Sequence, residues 1–343
     1  MKTSAYQPPF TITPEILNQV AAIGEAVGRL TVLTDQARAL RLRRINRIRA
    51  IRGSLAIEGN TLSEAQITAI LDGKRVIAPP REIQEVKNAL AAYDRFDSWE
   101  PTAEKDLLEA HRILMAGLID EAGKYRSGGV GVMAGQRVIH VAPPADRVPH
   151  LMAGLLDWLA ATDAHPLIAG SVFHYKFEII HPFADGNGRM GRLWQSLILA
   201  RWNPLFADIS VESLVFEHQA EYYEALQEST RRNDSAPFIA FMLRMVLGVV
   251  TTPQVAPQVT PQVGELMAAI QGEMGRNALQ SVLGLSDRKS FRERYLKPAL
   301  ADGLIEMTIP DKPNSRLQKY RLTDKGRRWL ARNGEGVCWR HGV

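Results

Sequence analysis

Residues 166–202 read PLIAGSVFHYKFEIIHPFADGNGRMGRLWQSLILARW and contain the segment that decides the fold. Apolar side chains recur at helical spacing over Pro166–Ile180 and again over Gly188–Trp202. The segment between these two stretches ends in Gly186, Asn187 and Gly188, residue types that tolerate the positive φ angles of a tight loop. The pattern therefore predicts two consecutive helices joined by a loop, with the second helix beginning at Gly188.

Most of the chain before residue 251 shows the same helical period, which predicts a mainly α fold. The exception is Gly128–Pro144, where apolar and polar residues alternate around Gly135. This alternation predicts a short β-hairpin. A hairpin on a helical body is a candidate flap, which we expect over about Val130–Val141. The further helices are predicted over Ala37–Ala56, Glu82–Trp99, Ala103–Leu118, Val148–Ala161 and Ala236–Val249.

A proline repeat separates the last part of the chain from the rest. Thr251–Val263 reads TTPQVAPQVTPQV, with Pro-Gln-Val repeated every four residues. Because proline lacks a backbone donor and favours extended neighbours, this run predicts a semi-rigid linker without helix or strand. An irregular loop inside one domain is the alternative. The linker divides the chain into an N-terminal helical region (1–100), a helical core (101–250), the linker itself (251–263) and a C-terminal domain with a tail (264–343).

The sequence after the linker predicts three helices followed by a two-stranded wing. The helices are expected over Val263–Met274, Arg276–Leu283 and Ser286–Asp302, and the third is distinctly basic. Two alternating apolar runs flank the turn-rich Pro310–Ser315. This order is typical of a small winged helix-turn-helix domain of the α+β class. Such a domain binds DNA or serves protein contact and dimerisation, and the sequence leaves both readings open.

The composition indicates a folded protein of a reducing compartment. The chain has 343 residues and a net charge of +5, a modest surplus that favours an anionic partner. Cys338 is the only cysteine, so neither an intrachain disulfide nor a cysteine-based zinc cluster can form. The longest apolar run, Phe238–Val250, is interrupted by Arg244, and the N-terminus has no signal-peptide pattern. We therefore expect a cytoplasmic protein without a membrane partner, whose oligomeric state stays open, a homodimer included.

The loop between the two central helices has the features of a polyphosphate site. Gly186, Asn187 and Gly188 allow a tight turn, and the free N–H groups of the helix N-terminus attract an anion. Arg189 and Arg192 lie three residues apart, so they share a helix face and can present forked donors to phosphate groups. The sequence thus predicts an anion site at the beginning of the second helix.

Two further loop residues supply a metal ligand and a base. Asp185 is a hard oxygen ligand at the place where Mg²⁺ would meet the phosphates. An imidazole has an ordinary pKa of about 6.5, so His181 can take a proton from an attacking hydroxyl near neutral pH. A calcium-binding EF-hand is excluded because Arg189 and Ser196 stand where it needs ligands. No P-loop and no dinucleotide-binding GxGxxG is present, and a plain turn between helices leaves His181 without a role.

The stretch from His181 to Arg192, HPFADGNGRMGR, matches HPFx[D/E]GNGRxxR at each fixed position. This is the signature of Fic (filamentation induced by cAMP) proteins. The chain also resembles the family in Gly123–Arg126 (GKYR) and in the Pro143–Pro144 pair after the expected flap. The resemblance covers about residues 10–250 and implies a Fic-type helical bundle. It also implies adenylylation, in which a Ser, Thr or Tyr hydroxyl of a target protein attacks the α-phosphate of ATP, pyrophosphate leaves and AMP stays on the target.

Carried over to this sequence, the resemblance gives each loop residue a role. His181 is the general base, Asp185 holds Mg²⁺ between the α- and β-phosphates, and Phe183 anchors the loop in the core. The flap aligns the target segment by strand addition. The residues implied to contact the nucleotide are Gly186, Asn187, Gly188, Arg189 at the β/γ region, Met190, Gly191, Arg192 at the γ-phosphate, and the pair Tyr222 and Tyr223, for which a core position is the alternative.

A second motif, nearer the N-terminus, resembles a regulatory element of the family. Residues 54–60 read SLAIEGN and are similar to the inhibitory motif [S/T]xxxE[G/N] of Fic proteins. The surrounding pattern predicts a helix over about 40–59, on which Ser54 and Glu58 lie one turn apart on one face. By the resemblance, Glu58 pairs with Arg192 and keeps the arginine from the γ-phosphate. The alternative is an ordinary solvated glutamate at the end of a helix.

The leading hypothesis is an autoinhibited protein adenylyltransferase that uses ATP and Mg²⁺ and also modifies itself. Removal of AMP at the same site, with the glutamate positioning a water, is a second hypothesis. A third is a DNA-binding regulator in which the basic helix Ser286–Asp302 enters a groove and the nucleotide site acts as a sensor. The sequence does not identify the target protein or the modified hydroxyl. His111 and His174 are expected to be packing residues.

Overall fold

The structure is a computed structural model that describes residues 6–32, 36–129, 131–134, 137–251, 261–285, 287–310 and 315–333. The chain forms two compact units. The first contains the described residues within 1–34 and 41–253, and the second contains those within 35–40 and 254–343. Each unit has a hydrophobic core of its own.

The first unit is mainly helical, which confirms the fold class predicted from the apolar periodicity. In the described residues its helices, including α2 whose first residues belong to the second unit, are α1 (Pro14–Val32), α2 (Gln36–Ile57), α3 (Glu64–Leu71), α4 (Pro80–Arg95), α5 (Glu104–Leu114), α6 (Val148–Ala161), α7 (Pro166–Ile180), α8 (Asn187–Trp202), α9 (Val211–Glu217), α10 (Gln219–Arg232) and α11 (Ala236–Thr251).

Helices α7 and α8 pack against each other within the core of this unit. Phe173, Phe177 and Trp194 are fully buried between them and their neighbours, and burying one such side chain contributes about 1.5–3 kcal/mol. The helices approach closely at Gly191, where an added methyl group would lie 2.7 Å from Cδ2 of His174. This close approach requires glycine at position 191 whether or not a ligand binds nearby.

The structure also contains helices that the sequence analysis missed. Helices α3 and α9 span only 8 and 7 residues, too few for a period of 3.6 to show clearly. Helix α10 is strongly polar, and Tyr222 and Leu226 are its buried apolar residues. Helix α1 buries Ile16, Ile23 and Val27 at helical spacing, so in this case the signal is present in the sequence.

The predicted hairpin is confirmed as strands β1 (Gly131–Ala134) and β2 (Arg137–Val141), which pair antiparallel. Gly131 lies opposite Val141 and Ala134 lies opposite Arg137, with a bulge between Val132 and Met133. Gly135, the predicted turn residue, lies outside the described residues. The carbonyls of residues 128 and 143, on either side of the hairpin, both accept a hydrogen bond from the body of the unit.

Some predicted boundaries shift in the structure. Helix α5 ends at Leu114 rather than Leu118, and Gly117 follows with a φ of 70° that a helix cannot contain. Thr251 still belongs to α11, and a further helix begins at Pro261, so both ends of the predicted linker are helical. Proline is tolerated in the first turn of a helix because its missing N–H has no partner there. Residues 252–260, the middle of the proline repeat, lie outside the described residues.

The second unit has the order of elements of a winged helix-turn-helix, which confirms the predicted architecture. Its antiparallel sheet has the strand order β3-β5-β4, with Met274 opposite Tyr320 and Ile305 opposite Leu322. Phe291 is fully buried in its core. The elements are α12 (Pro261–Ala269), β3 (Met274–Gly275), α13 (Arg276–Val282), α14 (Arg288–Phe291), a π-helical turn (Arg292–Leu296), α15 (Lys297–Ala301), β4 (Ile305–Met307), β5 (Lys319–Leu322) and α16 (Asp324–Asn333).

The predicted third helix, Ser286–Asp302, is interrupted by a π-helical turn, since Pro298 has no N–H with which to continue the α-helical ladder. The first predicted helix ends at Ala269 instead of Met274, which belongs to β3. Among the described residues of both units, no helix combines the length and the apolar character needed to cross a membrane.

Candidate active site

The loop between α7 and α8 is held in an unusual backbone conformation. His181 ends α7 with a φ of 50°, and Gly186 precedes α8 with a φ of 84°. A left-handed conformation costs a residue with a side chain about 1–3 kcal/mol, so the surroundings must hold His181 in place. Asn187 closes the loop, because its side chain accepts a hydrogen bond from N of Phe183 and donates one to the carbonyl of Phe183 (2.9 and 2.8 Å).

Phe183 fixes the loop to the core. Its fully buried ring stacks on the ring of His111, with centroids 3.6 Å apart. The Nδ1 atom of His111 accepts from N of Gly123 at 2.9 Å, and the Nε2 atom lies 3.0 Å from the carbonyl of Asp185. Burial lowers the pKa of His111 to about 4, so the ring is neutral and Nε2 donates to Asp185. His111 therefore packs, and it also holds the backbone of Asp185.

A buried guanidinium supports the backbone of His181. Arg126 donates from Nε to the carbonyl of His181 at 2.7 Å and from Nη2 to that of Ile180 at 3.3 Å. It also donates to the carbonyls of Gly128 (2.8 Å) and Pro143 (2.5 Å), which precede and follow the hairpin. Arg126 thus joins the C-terminus of α7 to both ends of the flap.

Asp185 lies at the mouth of the loop, where its carboxylate is partly exposed. Its Oδ1 accepts from N of Gly186 at 2.6 Å and from Nη2 of Arg189 at 3.0 Å, and its Oδ2 accepts from Arg81 at 3.2 Å. Arg189 is buried and lies 3.6 Å from the carboxylate of Glu85. These contacts fix Arg189 near the N-terminus of α8 and leave the carboxylate of Asp185 partly exposed.

Arg192 is buried on the next turn of α8 and is bound by Ser54 and Glu58 of α2 and the turn that follows it. Its Nη2 atom lies 2.6 Å from Oε1 of Glu58 and 3.0 Å from the carbonyl of Ser54, and its Nε donates to Oγ of Ser54 at 3.1 Å. Burial lowers the pKa of the Arg192 guanidinium, but the carboxylate of Glu58 and, to a lesser degree, the neighbouring Tyr222 and Glu178 outweigh this effect, and the net direction is upward. The Arg192 guanidinium is therefore charged at neutral pH.

The carboxylate of Glu58 lies at the N-terminus of α8. A methyl group added to Gly188 would overlap Oε1 of Glu58 and lie 3.0 Å from Nη1 of Arg192. Glu58 therefore lies against Gly188, close to the end of the helix at which a helix N-terminus attracts negative charge.

The other residues predicted to contact the nucleotide lie deeper. Met190 is fully buried in the core, and Gly191 faces His174 and Glu178. Tyr222 is buried, and its hydroxyl lies 3.1 Å from Nε2 of His174, so the structure gives it a packing position. Tyr223 is half-buried beside it, with the two rings at 67°.

His174 is buried and has partners at both nitrogens, since its Nδ1 lies 2.6 Å from Oε1 of Gln195. Sequence reasoning missed the supporting role of His111 and assigned no role to Arg81, Arg126 or Glu178. His111, Arg81 and Arg126 contact residues of the loop that are distant in the chain, so no local pattern predicts these contacts, whereas Glu178 lies only three residues before His181. The signal that the sequence did carry for Arg126 was its place in the GKYR segment.

The fold and this loop define the class of protein. The family model of the Fic/DOC family matches residues 101–199. The family model "Filamentation induced by cAMP protein Fic-like, C-terminal domain" matches residues 261–323. A crystal structure of a Fic family protein from Desulfovibrio desulfuricans G20 is 56% identical, covers 94% of this chain and 99% of that chain, and superimposes with a TM-score of 0.72. The chain belongs to the Fic family.

More distant relatives carry an activity in their names. Protein adenylyltransferase Fic of Nematostella vectensis is 32% identical over 203 residues, which cover 56% of this chain and 45% of that protein. The solved Fic-1 of C. elegans is 25% identical, with 68% of this chain and 70% of that chain covered and a TM-score of 0.59. The chain spans less than half the length of the curated relatives that it matches.

Proposed function

We propose that this protein is an autoinhibited protein adenylyltransferase, which transfers AMP from ATP to a Ser, Thr or Tyr hydroxyl of a target protein and of itself. The observation that carries the proposal is the arrangement of His181, Asp185, Arg189 and Arg192 around the N-terminus of α8. A base, a partly exposed carboxylate and two buried guanidinium groups meet there beside the N-terminus of this helix. Relatives named protein adenylyltransferase support the same reaction.

In this reaction the target hydroxyl oxygen forms a bond to the α-phosphorus while the bond from that phosphorus to the bridging oxygen of pyrophosphate breaks. The hydroxyl proton passes to Nε2 of His181, because Nδ1 faces the carbonyl of Glu178 at 3.3 Å and donates to it. Arg189 and the N-terminus of α8 bind the phosphates. Once Glu58 has released Arg192, the arginine binds the γ-phosphate.

The residues present fit a magnesium ion that is held jointly with the substrate. Among the described residues, no cluster of three or more His, Cys, Asp or Glu side chains could hold a metal alone. Mg²⁺ commonly takes one or two carboxylates and completes its shell with phosphate oxygens and water. Asp185, with its exposed carboxylate, would hold the ion, which would neutralise charge on the α- and β-phosphates.

The proposal includes inhibition in cis. Glu58 contacts both the N-terminus of α8 and Arg192, so a γ-phosphate and the glutamate compete for the same donors. A charge-assisted contact of this kind is worth about 1.5–3 kcal/mol, which corresponds to roughly a ten- to hundredfold bias against productive ATP binding.

The hairpin β1–β2 would offer its edge to the target segment, as in strand addition. The single cysteine supports a cytoplasmic location.

The test measures transfer of label from α-³²P-ATP with Mg²⁺ to the protein and to a lysate. Wild type, Glu58→Gly and His181→Ala are compared, with ATP binding measured for each. Label that requires both the loss of Glu58 and the presence of His181 supports the transferase and its inhibition. Absence of label in each variant despite bound ATP overturns the proposal, and release of AMP from labelled protein would then identify the reverse reaction.

A second candidate function, DNA binding, is favoured by the surface of the winged-helix unit. Lys and Arg outnumber Asp and Glu in residues 254–343, whereas the two groups nearly balance in the rest of the chain. Arg288, Lys289 and Arg294 are exposed, and within the described residues no ion pair engages them. Leu317, in the wing, is 76% exposed. The exposed cations of α14 and the π-helical turn fit the phosphates of a duplex. The exposed wing fits a groove of the duplex.

This second proposal is tested by fluorescence anisotropy with a labelled DNA duplex at salt concentrations from about 50 to 200 mM. We expect salt-dependent binding that survives His181→Ala and weakens strongly in Arg288→Ala/Lys289→Ala. Arg231→Ala, a paired surface arginine of the first unit, is the control. A lack of binding at the lowest salt concentration would overturn the proposal that this unit binds DNA.

A further inference from the structure

A buried carboxylate lies directly behind the proposed base. Glu178 is on α7, three residues before His181, and is only 5% exposed. Its Oε2 lies 4.0 Å from Nδ1 of His181, and its Oε1 has no hydrogen-bond partner among the described residues. A carboxylate buried in this way costs several kcal/mol unless a positive charge compensates it.

His174 contributes to the lowered pKa of this carboxyl but forms no hydrogen bond with it. It lies 3.7 Å from Oε1 of Glu178, but its Nδ1 faces Gln195 and its Nε2 faces the hydroxyl of Tyr222. Both nitrogens of the ring are therefore engaged elsewhere. The charge of Glu178 remains available to the second imidazole beside it.

Glu178 is ionised at neutral pH. Burial raises the pKa of its carboxyl, but His174, His181 and Arg192 outweigh this effect and leave the pKa below its ordinary value. The titratable or charged groups around it are His174 and His181 on α7, Arg192 on α8, Tyr222 and Tyr223 on α10, and, through Arg192, Glu58 on α2.

The same residue also orients the base. The carbonyl of Glu178 lies 3.3 Å from Nδ1 of His181, and the left-handed backbone of His181 turns the ring toward it. With the proton on Nδ1, the Nε2 atom is the one that accepts the proton of the target hydroxyl. The ring then carries a positive charge, and the nearest carboxylate to it is that of Glu178.

We propose that Glu178 is a positioning residue for AMP transfer, whose carboxylate stabilises the positively charged His181 formed when the imidazole takes the proton of the target hydroxyl. The inference rests on the proposed function. Glu178 itself takes no proton, so the balance of the step is unchanged: the proton moves from the hydroxyl to Nε2, and pyrophosphate leaves. The arrangement resembles the way in which a buried Asp supports the histidine of a Ser-His-Asp triad.

The first test is independent of activity. The ¹³Cε1 resonances of histidine are followed from pH 5 to 9 in the full-length protein and in Glu178→Gln, and His181 is assigned by its loss in His181→Ala. We expect the titration midpoint of His181 to fall by about one pH unit in Glu178→Gln, since the anion that favours the charged ring is gone. An unchanged midpoint overturns the inference whatever the activity is.

The second test measures AMP transfer in the Glu58→Gly background. Adding Glu178→Gln is expected to lower kcat at least about tenfold and to leave KM for ATP unchanged, because Glu178 does not contact the nucleotide. The acid limb of the pH–rate profile should move to lower pH. A rise in KM with constant kcat would contradict the inference, whereas absence of transfer in Glu58→Gly itself would reject the proposed function and not the titration result. Should Glu178→Gln fail to fold, Glu178→Leu, which also removes the charge, is subjected to the same two measurements.

Discussion

Glu58 and Arg192 form an ion pair with 2.6 Å between Oε1 and Nη2, although 134 positions separate them in the chain. The pair lies at the N-terminus of α8, next to Gly188. The arginine that the proposed reaction needs for the γ-phosphate is thus occupied by a residue of the same chain. This relationship connects the two motifs that the sequence shows.

The first prediction separates the two contacts that the proposed inhibitory motif makes with Arg192. Glu58→Gly removes the charged partner of Arg192, whereas Ser54→Ala removes one side-chain hydrogen bond and keeps the Ser54 carbonyl. We expect auto-labelling to rise about ten- to hundredfold in Glu58→Gly and by roughly threefold in Ser54→Ala. Initial rates with α-³²P-ATP measure both. Equal rates for wild type and Glu58→Gly would rule out inhibition by this pair.

The second prediction concerns Gly191. An added methyl group would lie 2.7 Å from Cδ2 of His174 and 2.9 Å from Oε1 of Glu178, so Gly191→Ala forces α7 and α8 apart. We expect the free energy of unfolding to fall by about 1–3 kcal/mol. Gly28→Ala is the matched control, since nothing lies within 4 Å of that added methyl group in α1.

The control should gain about 0.5–1 kcal/mol, as Ala is favoured over Gly inside a helix. Urea unfolding measures both variants. A Gly191→Ala protein as stable as wild type, with weakened ATP binding, would instead assign this glycine to the nucleotide.

The third prediction concerns Arg126. Replacement by Lys keeps the charge but cannot reach all of the carbonyls at the end of α7 and at the two ends of the hairpin. We expect Arg126→Lys to destabilise the protein by about 2–4 kcal/mol, since buried carbonyls lose their donors. Lys124→Ala, an exposed neighbour, should change stability by less than about 0.5 kcal/mol. Comparable unfolding curves for Arg126→Lys and Lys124→Ala would show that these hydrogen bonds of Arg126 do not stabilise the protein.

The fourth prediction is a pH dependence of stability. Burial lowers the pKa of His165, and its Nδ1 accepts a hydrogen bond from N of Leu167 at the beginning of α7. A group whose pKa is depressed on folding contributes stability above its unfolded value of about 6.5, and this contribution is lost as the pH falls. Protonation also removes the acceptor of the cap.

We therefore expect the wild type to lose more stability between pH 8 and pH 5.5 than His165→Asn, which keeps a capping acceptor but does not titrate. Urea unfolding at the two pH values provides the comparison. The same loss in both proteins would show that His165 does not contribute.

The sequence determined a large part of the site because its signals are local. Apolar periodicity located α7 and α8, and glycine chemistry located the loop between them. The position of an anion site follows from the N-terminus of a helix, which any chain with this loop presents. The hairpin and the order of elements in the winged unit were likewise predicted from alternation and turn residues.

The tertiary structure decided which side chains support these elements. His111 and Arg126 contact the loop with geometry that no spacing in the sequence encodes, and only the packing of the helices buries Glu178 beside His181. It also gave Gly191 and Tyr222 packing positions, although both belong to motifs read as contacts of the nucleotide. Periodicity and turn chemistry arise from neighbouring residues and can be read along the chain, whereas a buried charge finds its partners only after distant helices have packed and excluded water.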